Sequence, residues 1–562
     1  MGIHFGDVLH FSIRQGSQTV HHFYLIHCGD KEAVLSHQVY SLCNCSGGAV
    51  VNWQNAVFQF AGFYCFKDLF KGRIELNVPF RKECLCGGFG VCTHGALTAD
   101  TDGFLHAGRF ETGGNFIGIG GISMSGLAEI LLNRHFTVTG SDMQSSDMTK
   151  HLEETGAKVV IGQKAENITD DIDLVVYTAA IHESNEEFAA AKNKGVPMMT
   201  RAALLGQIMA NFAKSIAVAG THGKTTTTSM LTHILLQADT DPTVSVGGML
   251  DRIGGNIRVG HSDLFLTEAC EYTNSFLEFY PLYSIILNVE EDHMDFFKDI
   301  EDIKNSFHKF ASQTADDGLI IINGDMEHTD FILNGLAQKH VTFGLNPEND
   351  YTATDIAFDK EGNASYNLVA HGEPKGRIAL NVKGCHNVMN SLAAIACTEA
   401  IGLPLDAIRK GLLSFGGTHR RFEYKGSLGD VTVIDDYAHH PTEIRATLSA
   451  AKDYPHDELW VIFQPHTYTR TKAFLPEFAK ALEQADHIVL ADIYAAREVD
   501  TGEVSSKDVM KLLQEDGQDV HYFPSFEEIK DFVKAHVKGH DLLITMGAGN
   551  VVEIGEELLA EK

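Results

Sequence analysis

The run Gly220-Thr221-His222-Gly223-Lys224-Thr225-Thr226 carries the residue types that bind a triphosphate. Glycines let backbone N–H groups converge on phosphate oxygens, a lysine offsets their charge, and a threonine hydroxyl can ligate Mg²⁺. The loop is shorter than the usual phosphate-binding pattern, with Val218 standing where that pattern has its first glycine. Two acidic clusters follow, Glu268-Ala269-Cys270-Glu271-Tyr272 and Glu290-Glu291-Asp292-His293-Met294-Asp295. Beside a phosphate loop they read as metal ligands, because Mg²⁺ prefers oxygen donors. Glu268 suits that role, and His293 is a softer partner. Two polar, partly aromatic segments with fixed cations come later: Asp435-Asp436-Tyr437-Ala438-His439-His440-Pro441-Thr442-Glu443 and Gln464-Pro465-His466-Thr467-Tyr468-Thr469-Arg470-Thr471. His439 and His440 are adjacent, so in an extended segment they would point opposite ways and at most one would face a site. A second glycine-rich run, Gly118-Ile119-Gly120-Gly121-Ile122-Ser123-Met124-Ser125-Gly126, precedes Asp142 at the spacing of a dinucleotide-type βαβ turn.

These residues need elements to hold them. The apolar run Ser215–Ala219 reads as a strand before the phosphate loop, and Met230, Leu231, Ile234, Leu235 and Leu236 read as a helix after it. That helix would add a favourable N-terminal dipole. The Gly118 turn follows a strand near Phe116, with further strands at Thr137–Asp142, Lys158–Ile161 and Leu174–Thr178. The acidic clusters follow strands at Leu264–Thr267 and Ser284–Val289. A last series reads Val431–Ile434, Leu459–Phe463, His487–Leu490 and Leu542–Thr545. Short apolar strands with helical patterns between them predict parallel sheets with helices on both faces, and ligands beyond the carboxyl ends of the strands.

At 562 residues the chain should hold three or four domains. Its net charge of −31 argues against nucleic acid as a partner. It is compatible with a nucleotide, whose charge Mg²⁺ and local lysines or arginines can offset. No apolar run is long enough for a bilayer, and Met1-Gly2-Ile3-His4-Phe5 has no basic segment leading into an apolar one, so no signal peptide is expected. Gly6 stands where N-myristoylation wants Ser or Thr. Seven of ten cysteines lie before residue 100, leaving Cys270, Cys385 and Cys397 in a later part that reads as reduced and cytoplasmic. Residues 1–112 are Cys- and Phe-rich, with strands expected at Val50–Trp53 and Ala56–Phe60. Their Cys43-x-Cys45 and Cys84-x-Cys86-x5-Cys92 spacings differ from the pairs of zinc sites. The expectation is an extension of unknown fold, such as a start placed too far upstream would append.

From about residue 113 to the end the chain resembles the Mur ligase family. The motifs GIGGISMSGLAE, GTHGKTTT, EACEY, NVEEDHMD, GCHNVMN, THRRFE, DDYAHHPTE and QPHTYTRT carry the resemblance in order. It implies an α/β, three-domain architecture: a UDP-binding Rossmann-like domain over 113–213, a central P-loop ATPase domain over 214–420 and a C-terminal Rossmann-like domain over 421–562. It further implies an ATP- and Mg²⁺-dependent ligase that joins L-alanine to the lactyl carboxylate of UDP-N-acetylmuramate in peptidoglycan precursor synthesis. By the same resemblance, Gly118, Gly120, Gly121, Ser123, Met124 and Ser125 would meet the sugar-nucleotide diphosphate, with Asp142 near the uridine. Lys224 and Thr225 would grip ATP and Mg²⁺, and Glu268 and His293 would complete the metal site. His386, Asn387 and Asn390 would meet adenine, Arg421 the phosphates, and Asp436 the ATP. Tyr437, His439, His466 and Arg470 would frame the amino-acid pocket, Arg470 pairing the alanine carboxylate and His439 accepting the amine proton. Closure of the C-terminal domain on substrate binding is expected.

Three departures stand out. Ser123 replaces a glycine common in the turn, which is tolerable if its φ stays negative. The 112-residue extension has no family counterpart. Phe307-His308-Lys309 fills the region where other members carry a carbamoylated lysine, and neither Lys304 nor Lys309 is given that role. A tripeptide-adding member shares GTHGKTTT, but Tyr437 and QPHTYTRT favour a pocket for a small side chain. A nicotinamide oxidoreductase would leave the phosphate loop unexplained, and a P-loop switch would leave QPHTYTRT unexplained. A folate-polyglutamate ligase does not fit the GIGG unit.

Overall fold

A computed structural model describes residues 114–561 apart from Ala179 and Arg497. Ahead of them it describes only the backbone of six short strands between Leu9 and Gln59. Val50–Trp53 and Ala56–Gln59 are two of these, paired antiparallel; the side chains of the early cysteines lie outside what is described. The chain forms two compact units. One holds Met1–Ala213 with the short segments Glu278–Tyr280 and Ala315–Gly318, and the other holds the rest.

The described part of the first unit is one five-stranded parallel sheet. Its strands are β1 (Gly114–Ile117), β2 (Val138–Asp142), β3 (Lys158–Ile161), β4 (Leu174–Tyr177) and β5 (Met198–Thr200), in the order β5-β4-β1-β2-β3. Helices α1 (Ile122–Asn133), α2 (Asp147–Glu154), α3 (Glu186–Lys194) and α4 (Arg201–Met209) connect or follow them. β1 is buried along its whole length, and Ile117 packs with Ile168, Val175 and Ala191. Between β1 and α1, Gly118 takes φ +82°, a left-handed conformation that glycine adopts without strain. Ser123 lies inside α1 and is not among the residues of positive φ, so its replacement of glycine costs no backbone strain.

The second unit contains two sheets. The larger has ten strands: β6 (Lys214–Ala219), β7 (Thr243–Leu250), β8 (Gly255–Arg258), β9 (Leu264–Ala269), β10 (Tyr283–Ile286), β11 (Leu319–Asn323), β12 (Lys339–Gly344), β13 (Tyr351–Phe358), β14 (Asn363–Ala370) and β15 (Glu373–Lys383). Their order is β8-β7-β9-β6-β10-β11-β12-β13-β14-β15. Pairings are parallel from β7 through β13, with β8 antiparallel at one edge and β13-β14-β15 an antiparallel meander at the other. Helices α5 (Lys224–Gln237), α6 (Ile300–Ser312), α7 (Thr329–Leu333), α8 (Cys385–Ile401) and α9 (Leu405–Ser414) accompany them. One continuous core joins Ile234 and Leu235 of α5, Leu392 and Ile395 of α8 and Leu412 of α9 to the sheet residues Val218, Leu266 and Ile285.

The smaller sheet has strands β16 (Glu423–Leu428), β17 (Val431–Asp436), β18 (Leu459–Phe463), β19 (His487–Leu490), β20 (Val520–Tyr522) and β21 (Leu542–Met546), ordered β16-β17-β21-β18-β19-β20. All pairs are parallel except β16 with β17. Its helices are α10 (Pro441–Lys452), α11 (Tyr468–Ala473), α12 (Leu475–Leu482), α13 (Ser506–Glu515), α14 (Phe526–His536) and α15 (Val552–Ala560). β18 and β21 are buried along their whole length. Separate apolar cores on the two faces explain this, one around Val461, Phe463 and Phe478 and the other around Trp460, Ile462 and Leu558.

Three strand ends at the site depart from the sequence reading, among them that of β17, which runs on through Asp435 and Asp436. β9 continues through Glu268 to Ala269, and β10 stops at Ile286. The reason for the early end of β10 is Asn288, whose side chain accepts from His222 N at 2.7 Å and donates to His222 O at 3.1 Å. Its carbonyl also accepts from Thr221 N at 3.1 Å. The chain therefore leaves the sheet to brace the phosphate loop.

Candidate active site

β6 lies between β9 and β10 and runs directly into the glycine-rich loop. Gly223 caps α5 at φ +82°, and a Cβ there would lie 2.6 Å from Asn390 Oδ1. Conformation and space both demand glycine. Lys224 Nζ donates to Glu271 Oε2 at 2.9 Å, to the Thr221 carbonyl at 3.1 Å and to the Gly220 carbonyl. Burial alone would lower its pKa, but the Glu271 carboxylate and nearby acidic groups outweigh that and raise it. Thr225 Oγ1 donates to Glu268 Oε2 at 3.1 Å, and Gly247 N donates to Glu268 Oε1 at 2.5 Å. Burial pushes the Glu268 carboxyl up despite these donors and Lys224.

His293 takes φ +53° and lies over the Tyr272 ring at 4.6 Å, with Nε2 3.8 Å from Glu271 Oε1. The structure thus links Thr225, Glu268, Lys224, Glu271 and His293 around one loop. A half-buried carboxylate next to a threonine hydroxyl is a hard-oxygen pair that fits Mg²⁺, with His293 set further along.

The smaller sheet supplies the facing groups. Asp436, at the end of β17, accepts from Phe422 N and Ala438 N, both at 2.8 Å. Burial raises its pKa to about 6, against the opposing charge of Arg421. The Arg421 guanidinium lies 5.2 Å from the Tyr437 ring, and that of Arg420 lies 4.9 Å from the same ring. Arg420 is committed to Asp435 at 3.0 Å and to the Gly547 carbonyl at 2.8 Å. A cavity of about 330 Å³ is lined by His222, Gly223, Thr225, Thr226, His386, Asn387, Asn390, Arg421 and Asp436. It brings together most of the residues expected to hold the nucleotide, drawn from both sheets.

The expected amino-acid residues form a row of rings. Tyr437 to His439 is 5.4 Å, His439 to His466 is 5.6 Å, and His466 to Tyr494 is 5.7 Å. Arg470 Nη1 lies 3.1 Å from His466 Nδ1. Its Nε and Nη2 both donate to Asp292 Oδ1, at 3.1 and 2.8 Å. Burial opposes ionisation of Asp292, but Arg470 and the neighbouring histidines hold its carboxyl far below the usual range.

The two adjacent histidines take different partners. His439 Nδ1 donates to the Tyr437 carbonyl at 3.0 Å, while His440 Nε2 donates to the Glu291 carbonyl at 3.0 Å and its Nδ1 accepts from Thr442 N at 3.3 Å. His440 is the N-cap of α10 and keeps extended backbone angles, φ −111° and ψ 145°, so the two rings leave the chain toward different neighbours: His439 toward His466, His440 toward His222.

In the first unit, Gly120 N donates to Asp142 Oδ2 at 2.9 Å, so Asp142 closes the glycine turn. Met124 and Ser125 are buried in α1, leaving backbone and Ser123 at the surface of the turn. Arg201 Nη1 donates to Ser123 Oγ at 2.9 Å. Arg201 and Glu443 were given no role in the sequence reading, and Glu271 and Glu290 only a general one, as members of acidic clusters read as metal ligands. The partners of Arg201, Glu271, Glu290 and Glu443 lie 78, 47, 152 and 221 positions away, and no local pattern signals these pairings.

Fold and site together define a nucleotide-binding α/β protein whose phosphate loop is faced by polar groups of a second, mostly parallel sheet. Three family models cover most of the chain: Mur ligase family, catalytic domain over residues 115–213; Mur ligase middle domain over 218–398; and Mur ligase, glutamate ligase domain over 420–549. The chain belongs to the Mur ligase family.

Among its relatives is a UDP-N-acetylmuramate–L-alanine ligase of Agathobacter rectalis, 61% identical over 445 residues, covering 79% of this chain and 97% of the relative. One of the same name from Acetivibrio thermocellus is 50% identical over 449 residues, covering 80% and 96%. The crystal structure of a UDP-N-acetylmuramate–alanine ligase from Thermotoga maritima matches with a TM-score of 0.67 at 30% identity, over 80% of this chain and 99% of that one. A murein peptide ligase from Psychrobacter arcticus matches at 0.60 and 25%, over 80% and 98%.

Proposed function

We propose that this chain is an ATP-dependent ligase that joins L-alanine to the lactyl carboxylate of UDP-N-acetylmuramate through an acyl phosphate, in cytoplasmic peptidoglycan precursor synthesis. The observation that carries this is the cavity shared by the phosphate loop and by Arg421 and Asp436. The names of relatives at 50 to 61% identity support L-alanine over a tripeptide as the substrate. The matched family segments support reading 113–213, 214–420 and 421–562 as sugar-nucleotide, ATP and amino-acid domains.

A carboxylate is a poor electrophile, so it is first phosphorylated by the γ-phosphoryl of ATP; the amine then attacks and phosphate leaves. Positioning and charge compensation are the protein's main tasks. The turn at Gly118, Gly120 and Gly121, with Arg201 beside it, would hold the sugar-nucleotide diphosphate. Lys224, kept protonated by Glu271, offsets charge at the terminal phosphates. Thr225 and Glu268, with His293, would hold Mg²⁺, which supplies Lewis-acid charge neutralisation. His386, Asn387 and Asn390 receive the base. Arg470 takes the alanine carboxylate in exchange for Asp292. Burial lowers the pKa of His439, and its Nδ1–H bond to the Tyr437 carbonyl leaves a lone pair on Nε2 for the amine proton.

The test is ADP formation by the full chain with MgATP, UDP-N-acetylmuramate and L-alanine, each omitted in turn. Turnover should need all three and yield the alanyl product. ADP formation indifferent to L-alanine would overturn the reading.

A further inference from the structure

One half-buried carboxylate touches both halves of the site. Glu443 occupies the third position of α10, and its Oε2 accepts from the backbone N–H groups of His439 and His440 at 3.0 and 3.2 Å. Its Oε1 lies 3.1 Å from His222 Nδ1, inside the phosphate loop, and 3.9 Å from Arg421 Nη1. One oxygen therefore holds the segment that carries the expected amine base, and the other holds the nucleotide loop and its arginine.

The connection is reinforced on either side. The His222 and His440 rings lie 4.7 Å apart, and Thr442 Oγ1 donates to Glu290 Oε2 at 2.6 Å. Glu290 Oε2 is in turn 3.7 Å from His222 Nε2. His222 thus sits between carboxylates of the two sheets, and Glu443 is the one that also reaches the His439 backbone. Removing the charge of this carboxylate would weaken both arms at once, because Oε1 and Oε2 belong to one anion.

We propose that Glu443 is a positioning residue that couples nucleotide binding to amino-acid binding. Through His222 and Arg421 it senses the occupied phosphate loop, and through the 439–440 backbone it sets the His439 ring and the adjoining pocket. The inference rests on the ligase reading above. Coupling of this kind is reciprocal: if a bound nucleotide favours the amino acid, the amino acid tightens the nucleotide by the same factor.

The experiment measures the Kd of a non-hydrolysable ATP analogue by calorimetry on the full chain with Mg²⁺ and UDP-N-acetylmuramate, with and without L-alanine. In the unaltered chain L-alanine should tighten the analogue at least about 5-fold. Glu443→Gln keeps the size and the acceptor for the two N–H groups but removes the charge. With its own affinity for the analogue alone taken as the baseline, the L-alanine effect should fall below about 2-fold.

His222→Asn, which changes no residue of α10, should also lose the effect and serves if Glu443→Gln fails to fold. The double variant should be no worse than Glu443→Gln alone. Full coupling retained in both single variants, or additive losses in the double variant, overturns the proposal, as does an unaltered chain that is active yet uncoupled. An unaltered chain with no L-alanine-dependent ADP formation overturns the ligase reading, and the proposal with it.

Discussion

Lys224 is committed before any phosphate arrives, held by two backbone carbonyls and by Glu271. Lys224→Met should lower ADP formation by about 10²-fold or more. It also leaves the Glu271 carboxylate, only 3% exposed, without its counter-charge. Breaking one side of such a pair costs about 3–5 kcal/mol, so thermal unfolding should show a clear loss that Glu271→Gln in the same chain partly restores without restoring turnover.

Arg470→Lys should raise the L-alanine KM by about tenfold, one lost charge-assisted bond of about 1.5 kcal/mol, because an ammonium cannot reproduce the planar fork. Steady-state kinetics at saturating ATP checks this. Arg470 was legible as a functional cation, but its pairing with Asp292 across 178 positions was not.

The His222 cluster has its own pH signature. Burial would lower the His222 pKa, but Glu443 and Glu290 raise it to about 9, while His222 and Thr442 bring Glu290 down to about 2 against its burial. The other ionisable groups facing the cluster are His439, His440 and Arg421. A raised histidine stabilises the fold below its unfolded pKa near 6.5 and loses that contribution as pH climbs to 9. A depressed glutamate stabilises it above 4.5 and loses that contribution as pH falls toward 2. The stability contributed by the His222–Glu290 pair should therefore be greatest between about pH 4.5 and 6.5, and His222→Gln should flatten the alkaline limb of a Tm–pH curve.

At the level of elements, the parallel strands were readable because burial on both faces makes them short, continuous apolar runs. β18 and β21 are such runs, as is β6 from Ser215 onward. The meander β13-β14-β15 was not readable in this way. β14 alternates between buried and half-buried positions, and β15 presents charged residues on its outer side. The loops around the site were readable as chemistry but not as geometry. Glu268 lies within β9 rather than after it, and Asn288 ends β10 early by binding His222.

The glycine loop gives the sharpest element-scale prediction. Gly223→Ala places a methyl 2.6 Å from Asn390 Oδ1 at a φ of +82°. Nucleotide binding should fall at least tenfold in calorimetry, while far-UV circular dichroism stays unchanged, because the strain is confined to the start of α5.

At the scale of the molecule, the three family segments begin at residue 115 and end at 549. The relative from Agathobacter rectalis is covered over 97% of its length by 445 aligned residues. A chain beginning near Gly114, where β1 starts, should therefore keep L-alanine-dependent ADP formation within about twofold of the full chain. A much slower truncated form would show that the first 113 residues contribute to catalysis. Among the described residues, no helix is long and apolar enough to cross a membrane.

The ten-stranded sheet also has to stop somewhere. Its last strand, β15, carries Glu373, Pro374, Lys375, Arg377 and Lys383 on its outward course, and Pro374 has no N–H to offer an incoming strand. Fixed charges and a missing donor make that border a poor template for a second chain, so growth of the sheet ends inside one molecule and does not seed fibres.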